Sequence, residues 1–147
     1  MKSFIKRRGG FTLIEVLLVI AIIAILAAIV LVAINPAKQL AQSRNTQRQS
    51  NVDEIGKAVI QYSIDNQGNL PATITTTPTD VCATGGTCTG LIDLSVVTTG
   101  NYIKEMPKDP KTGDANNTNY QISADANGRI TVTASDAELG KTVQYVQ

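Results

Sequence analysis

The stretch KRRGGFTLIEVLLVIAIIAIL, residues 6–26, decides how this chain is read, because it sets one carboxylate, Glu15, near the start of an almost unbroken apolar run. From Phe11 to Ile34 the only polar side chains are Thr12 and Glu15, and Val16 to Ile34 approaches the roughly 20 apolar residues that a bilayer-spanning helix needs. A buried core helix is the competing reading. The rest of the 147-residue chain is polar, however, and offers too little apolar surface to enclose such a segment on all sides. An acidic side chain at mid-helix in hydrocarbon costs on the order of 2.5–3.5 kcal/mol on insertion scales, so Glu15 calls for a partner.

Working outward, charge orients the segment. Lys2, Lys6, Arg7 and Arg8 precede the apolar run; without them nine basic residues face twelve acidic ones, a net charge of −3. No strongly basic surface therefore points to nucleic acid or anionic lipid. A basic cluster beside a hydrophobic span stays cytoplasmic, which puts everything after Ile34 outside the cytoplasm. The aromatic content of 4%, with no Trp and no His, argues against a dense aromatic core and against His-based catalysis or metal binding.

Three readings of the N-terminus remain, and they differ in where the chain is cut. A secretory signal has an apolar stretch of about 7–15 residues and small residues beyond it; this stretch is longer, although VAINPA (residues 32–37) offers Ala33 and Ala37. An uncleaved anchor fits length and charge but explains neither Glu15 nor the Gly9-Gly10 pair. The third reading cuts before the apolar run.

RRGG followed directly by FTLIEVLLVIAIIAILAAI resembles the precursor signature of type IV pilins and type II secretion pseudopilins. The resemblance covers about the first quarter of the chain. It implies cleavage between Gly10 and Phe11 by a prepilin peptidase, N-methylation of Phe11, and a role for Glu15 as the fifth residue of the mature chain. It also implies handling by an inner-membrane pilus assembly machinery and a homo-oligomeric helical filament as the product. Cleavage would create an amine at Phe11, a few residues from Glu15 and within reach of it on its own helix or on a neighbouring copy. A subunit out of register would leave that carboxylate unpaired in low dielectric, so Glu15 is the candidate assembly register.

Ala21, Ala24 and Ala28, then Ala33, Ala37 and Ala41, form small-residue rows that allow helices to approach closely. Many family members carry Gly where this chain has Ala24 and Pro where it has Val32. Here the nearest proline is Pro36, so a bend is expected within residues 34–38. Beyond it Val52, Ile55, Val59 and Tyr62 step by 3, 4 and 3 along one helical face, with polar residues on the others. A helix from about Phe11 to Asn66 would be roughly 80 Å long, and DNQGNLP (residues 65–71) would stop it.

The expected organisation is a basic leader (1–10), a transmembrane and filament-core helix (11–34), its amphipathic continuation (35–68), and a globular head (69–147). The fold class is α+β, one long helix on a small antiparallel sheet. Residues 72–90 read as a loop holding Cys82 and Cys88, which as a C-x5-C pair across Gly85-Gly86 form either a disulfide staple or two free thiols. No further Cys and no His complete a tetrahedral metal set. In many pilins the disulfide borders a C-terminal loop, so the role of that loop does not carry over to this mid-chain pair.

LIDLSVVTTG (91–100) opens a short helical or turn-rich connection. Strands are expected at 119–124, 129–134 and 142–146, with DANG (125–128) as a hairpin turn and the apolar sheet face on Ile55, Val59 and Tyr62. Asp109, Asp114, Asn116, Asn117 and Asn119 gather oxygen donors of the kind calcium takes, and some pseudopilins carry a calcium loop before their last strands; such clusters are ordinarily turns. No nucleophile–base pair or phosphate-cradling loop points to an enzyme. The function expected is a structural subunit of a surface pilus serving adhesion, motility or DNA uptake. The runner-up is a major pseudopilin, G-like, of a type II secretion system, and a membrane-tethered binding module is the reading from another class. The chain would pass from the cytoplasmic membrane to an extracellular pilus or a periplasmic pseudopilus.

Overall fold

The computed structural model describes residues 9–147, so most of the expected leader, including Lys2, Lys6, Arg7 and Arg8, lies outside the described residues. The chain divides into two compact units, one ending at Gln39 and one spanning Leu40–Gln147.

In the first unit, α1 (Leu13–Ile34) buries none of its residues. Its 22 residues are long and apolar enough to cross a membrane, since a rise of 1.5 Å per residue gives roughly 33 Å against a hydrocarbon core of about 30 Å. The helix ends at Asn35, which adopts the left-handed conformation at φ 46°. A second helix, α2, then runs from Pro36 to Asp65. The single helix expected over residues 11–66 is therefore interrupted, within the 34–38 stretch that Pro36 marks. Pro36 does not kink a continuous helix; it occupies the first position of a new one, where its missing N–H costs nothing. Asn35 caps that start, its side-chain Oδ1 accepting from Lys38 N–H at 3.2 Å.

The second unit is the head. From Ala41 onward α2 buries Ala41, Asn45, Arg48, Val52, Ile55 and Val59 at steps of three and four, one face of a helix. The sheet has four antiparallel strands in the order β1 (Thr79–Cys82), β2 (Asn117–Ala124), β3 (Ile130–Ala134), β4 (Gln144–Val146). About three strands are legible in the sequence, and β1 is the addition. Only four residues long, it slips register against β2 between Asp80 and Cys82 and sits inside a Thr-rich stretch whose pattern reads as loop.

Tyr120 and Ile122 of β2, with Ile130 and Val132 of β3, pack with Val52, Ile55 and Val59 in one core. Tyr62 lies at its margin, edge-on to Tyr102 with ring centroids 5.8 Å apart. The short α3 (Ser95–Thr99) contributes Val97. Gly56 is buried in α2 because the Tyr145 ring of β4 occupies the space a Cβ would need. The DANG hairpin forms as its composition predicts. Asp125 Oδ1 accepts from Asn127 and Arg129 N–H, and Gly128 takes φ 78°.

Candidate functional site

The N-terminal segment is open on every side. A Cβ added at Gly9 or Gly10 would meet nothing within 4 Å, and Phe11 is 81% exposed. Thr12, in extended conformation, is the N-cap of α1. Its Oγ1 accepts from Glu15 N–H at 3.3 Å while Thr12 N–H donates to Glu15 Oε2 at 3.4 Å, a reciprocal capping box that satisfies two of the orphan donors at a helix start. The T-x-x-E signature is local in the sequence, and the reach of Glu15 to the first turn of its own helix ends on Thr12. The Phe11 amine exists only after the Gly10–Phe11 bond is cut. Among the described residues, Glu15 is an exposed carboxylate that accepts from one backbone N–H.

The head holds a second charged constellation, which sequence reasoning missed. Arg48 is fully buried. Its Nε and Nη2 donate to the two oxygens of Asp109 at 2.6 and 3.1 Å, and its Nη1 donates to Asn45 Oδ1 and Glu138 Oε2, both at 3.0 Å. Glu138 also accepts from Arg44 at 2.6 and 2.9 Å and from Lys111 at 3.2 Å. The Arg44 and Arg48 guanidinium groups hold the Glu138 carboxyl well below the usual carboxylate range. At Asp109 burial pushes the pKa upward, but the Arg48 guanidinium and the N–H groups of Lys111 and Thr112 outweigh it, and the net shift is downward. Asn51 completes the polar stripe of α2 by donating to Tyr120 Oη at 2.8 Å. A charged residue on a helix face is ordinarily solvated, and the partners of Arg48 lie 61 and 90 residues away in sequence. No local signal finds them.

The oxygen donors of residues 109–119 are engaged in this architecture. Asp109 is the partner of Arg48. Asp114 Oδ1 accepts from Asn116 and Asn117 N–H, both at 2.7 Å, and these bonds lower its pKa. Asn116 Oδ1 accepts from Thr87 N–H at 2.9 Å, Asn117 Oδ1 accepts from Asn119 N–H at 2.8 Å, and Asn119 Nδ2 donates to Thr112 O at 2.7 Å. No group of three His, Cys, Asp or Glu side chains that could hold a metal ion occurs among the described residues. Residues 110–116 run as turns and bends, Asn117 and Asn119 belong to β2, and Asp109 is the member whose carboxylate serves the core.

Cys82 and Cys88 are joined in a disulfide. It closes a loop that seats on the 114–117 turn. Ala83 N–H donates to Asn116 O at 2.7 Å, and Gly86 lies so close that a Cβ there would stand 2.8 Å from Ala115 O.

Residues 5–31 match the prokaryotic N-terminal methylation motif, the prepilin-type cleavage and methylation signal typical of type IV pilins and pseudopilins. No curated protein and no solved structure matches the chain.

Proposed function

We propose that this pilin- or pseudopilin-type chain is a structural subunit of a type IV pilus, anchored in the membrane by α1 and assembled through it into a surface filament. The observation that carries the reading is the methylation motif laid directly over a helix that buries none of its residues. Such a helix is stable in lipid or among copies of itself.

In this reading residues 1–10 are removed. Gly9 and Gly10 lie in exposed backbone where a Cβ would meet nothing within 4 Å among the described residues, and the Gly10–Phe11 bond is the one the peptidase would cut. Phe11 then carries the methylated amine, and Glu15 leaves its cap to pair with the amine of an adjoining subunit. Residues 11–34 form the filament core and 35–68 the helix that carries the head. The head lies outside the cytoplasm, where Cys82–Cys88 persists.

A second reading, the pseudopilin of a type II secretion system, is favoured by one feature. The disulfide closes a mid-chain loop, and the last residues pair as β4 instead of forming a disulfide-bordered loop. Mass and N-terminal analysis of mature chain, followed by electron microscopy of sheared cell surfaces, tests both. A start at methylated Phe11 with long filaments carrying this chain is the expected result. Short periplasmic filaments and a secretion defect on deletion would move the assignment to the pseudopilin, and a mature chain beginning elsewhere would sink both.

A further inference from the structure

The two cysteines of the disulfide are placed unequally. Cys82 is 3% exposed and fixed in the sheet: its N–H donates to Ile92 O at 2.9 Å, and it stands opposite Asn117 in the pairing of β1 with β2. Cys88 is partly exposed and belongs to no strand or helix. It follows a turn in which Gly85 takes φ 74°. A disulfide is opened by a thiolate that reaches one of its sulfurs, so access decides which sulfur is attacked.

A route to the bridge is present in the folded head. A cavity of about 190 Å³, open to solvent, has both cysteines in its lining, with Leu94 and Met106 as apolar residues and Thr84 as a polar one. Asp93 is the charged residue of that lining, and its Oδ1 accepts from Ser95 N–H at 2.8 Å. A carboxylate there attracts a cationic thiol and repels an anionic one.

We infer that Cys88 is a thiol-exchange site, at which a small thiol, by preference a cationic one, opens the disulfide of the folded head. The thiolate attacks Cys88 Sγ. A new S–S bond to Cys88 forms, the Cys82–Cys88 bond breaks, and Cys82 leaves as a thiolate. The step needs no further oxidant or reductant, because the incoming thiol becomes one half of the mixed disulfide. Cys82 remains in β1 only six positions away, and so short a tether gives it a high effective concentration. Its attack on Cys88 Sγ expels the small thiol and closes the bridge again. What the exchange releases is one end of the loop between the cysteines. Ala83 N–H donates to Asn116 O at 2.7 Å and Thr87 N–H donates to Asn116 Oδ1 at 2.9 Å. Opening at Cys88 frees the Thr87 end, while Ala83, next to the fixed Cys82, keeps its bond.

The test uses the full-length chain in detergent. Cys82→Ser and Cys88→Ser each leave one thiol, and intact mass follows its reaction with cystamine. Cys82→Ser, which keeps the thiol at Cys88, is expected to react at least roughly tenfold faster than Cys88→Ser, and the two rates should become equal in denaturant. In wild type, cysteamine should open the disulfide at a rate that low denaturant leaves unchanged. Per thiolate it should outpace thioglycolate, by a margin that falls about threefold in Asp93→Asn. Amide exchange should rise at Thr87 and not at Ala83 once the bridge is open. Equal native rates for the two single-thiol chains, a wild-type rate that climbs from the first addition of denaturant, or a margin unchanged in Asp93→Asn would each overturn the inference. The wild-type rate needs no substitution, so it decides the matter even where a variant fails to fold.

Discussion

Glu15 in α1 and Arg48 in α2 are both charged residues set on helices, and they are completed in different ways. Arg48 is fully buried and gives its N–H groups to Asp109, Glu138 and Asn45, all within the head. Glu15 is exposed, and its carboxylate accepts from the Thr12 N–H among the described residues. The head is a unit that satisfies its own polar groups, with no buried side-chain N or O left unpartnered among the described residues. The apolar helix leaves both its surface and its carboxylate to be completed by something else. On the proposed reading, folding rests on the charges of the head and assembly on Glu15, and variants can separate them.

The largest separation is expected from Glu15→Ala. Polymer recovered by shear should fall to background if the Glu15 carboxylate sets the register as proposed. The thermal unfolding of the head should not change. Polymer at wild-type yield would break the contrast at its root.

Asp109→Ala is the mirror image. It leaves the Arg48 guanidinium buried without its main partner, and breaking a buried pair in this way costs about 3–5 kcal/mol. Unfolding in denaturant should show that loss. Replacing Arg48 by Met in the same background should restore much of it, since the stranded charge is removed as well. Cleavage of the leader, read by mass, should proceed normally in any chain that reaches the membrane.

The same network gives the head a signed pH dependence. Asp109 and Glu138 both have carboxyls depressed below their ordinary values. A group whose folded pKa is depressed contributes stability above its unfolded pKa, about 4 for Asp and Glu, and loses it as pH falls through the folded value. Melting temperature should therefore be flat from pH 7 to about 5 and decline below about 4. Glu138→Gln should shallow that decline. An acid limb unchanged in Glu138→Gln would show that the ion cluster is not what senses acid.

How much of this was legible in sequence follows from the range of the interactions. The apolar run, the Val52–Ile55–Val59 stripe and the Asp125–Gly128 turn are local patterns, and each declares itself within a few residues. Thr12 and Glu15 are also local, a T-x-x-E pattern whose capping box is legible within four residues. Arg48 is different. On a helical face it is one more polar residue until strands and turns far along the chain bring Asp109 and Glu138 to it. β1 was hidden for a related reason, since its short, bulged TDVC acquires strand character only from pairing with β2. The composition of residues 109–119 reads as a set of oxygen donors, and that Asp109 is held by Arg48 is a long-range fact no local pattern carries.

The smallest expected effect bears most directly on Glu15. Thr12→Ala removes the hydroxyl that accepts from Glu15 N–H, and losing an N-cap of this kind costs about 1 kcal/mol. Amide exchange at Glu15 and Val16 in detergent should speed up as the first turn frays, while the head remains unaffected. Assembly is the informative readout. If Glu15 acts by pairing with an amine on another subunit, Thr12→Ala should retain most of its polymer, because the carboxylate is still present and less occupied by its own helix. If Thr12→Ala instead loses polymer as fully as Glu15→Ala does, the essential feature is the capped helix start, and the carboxylate works within its own subunit and not between two.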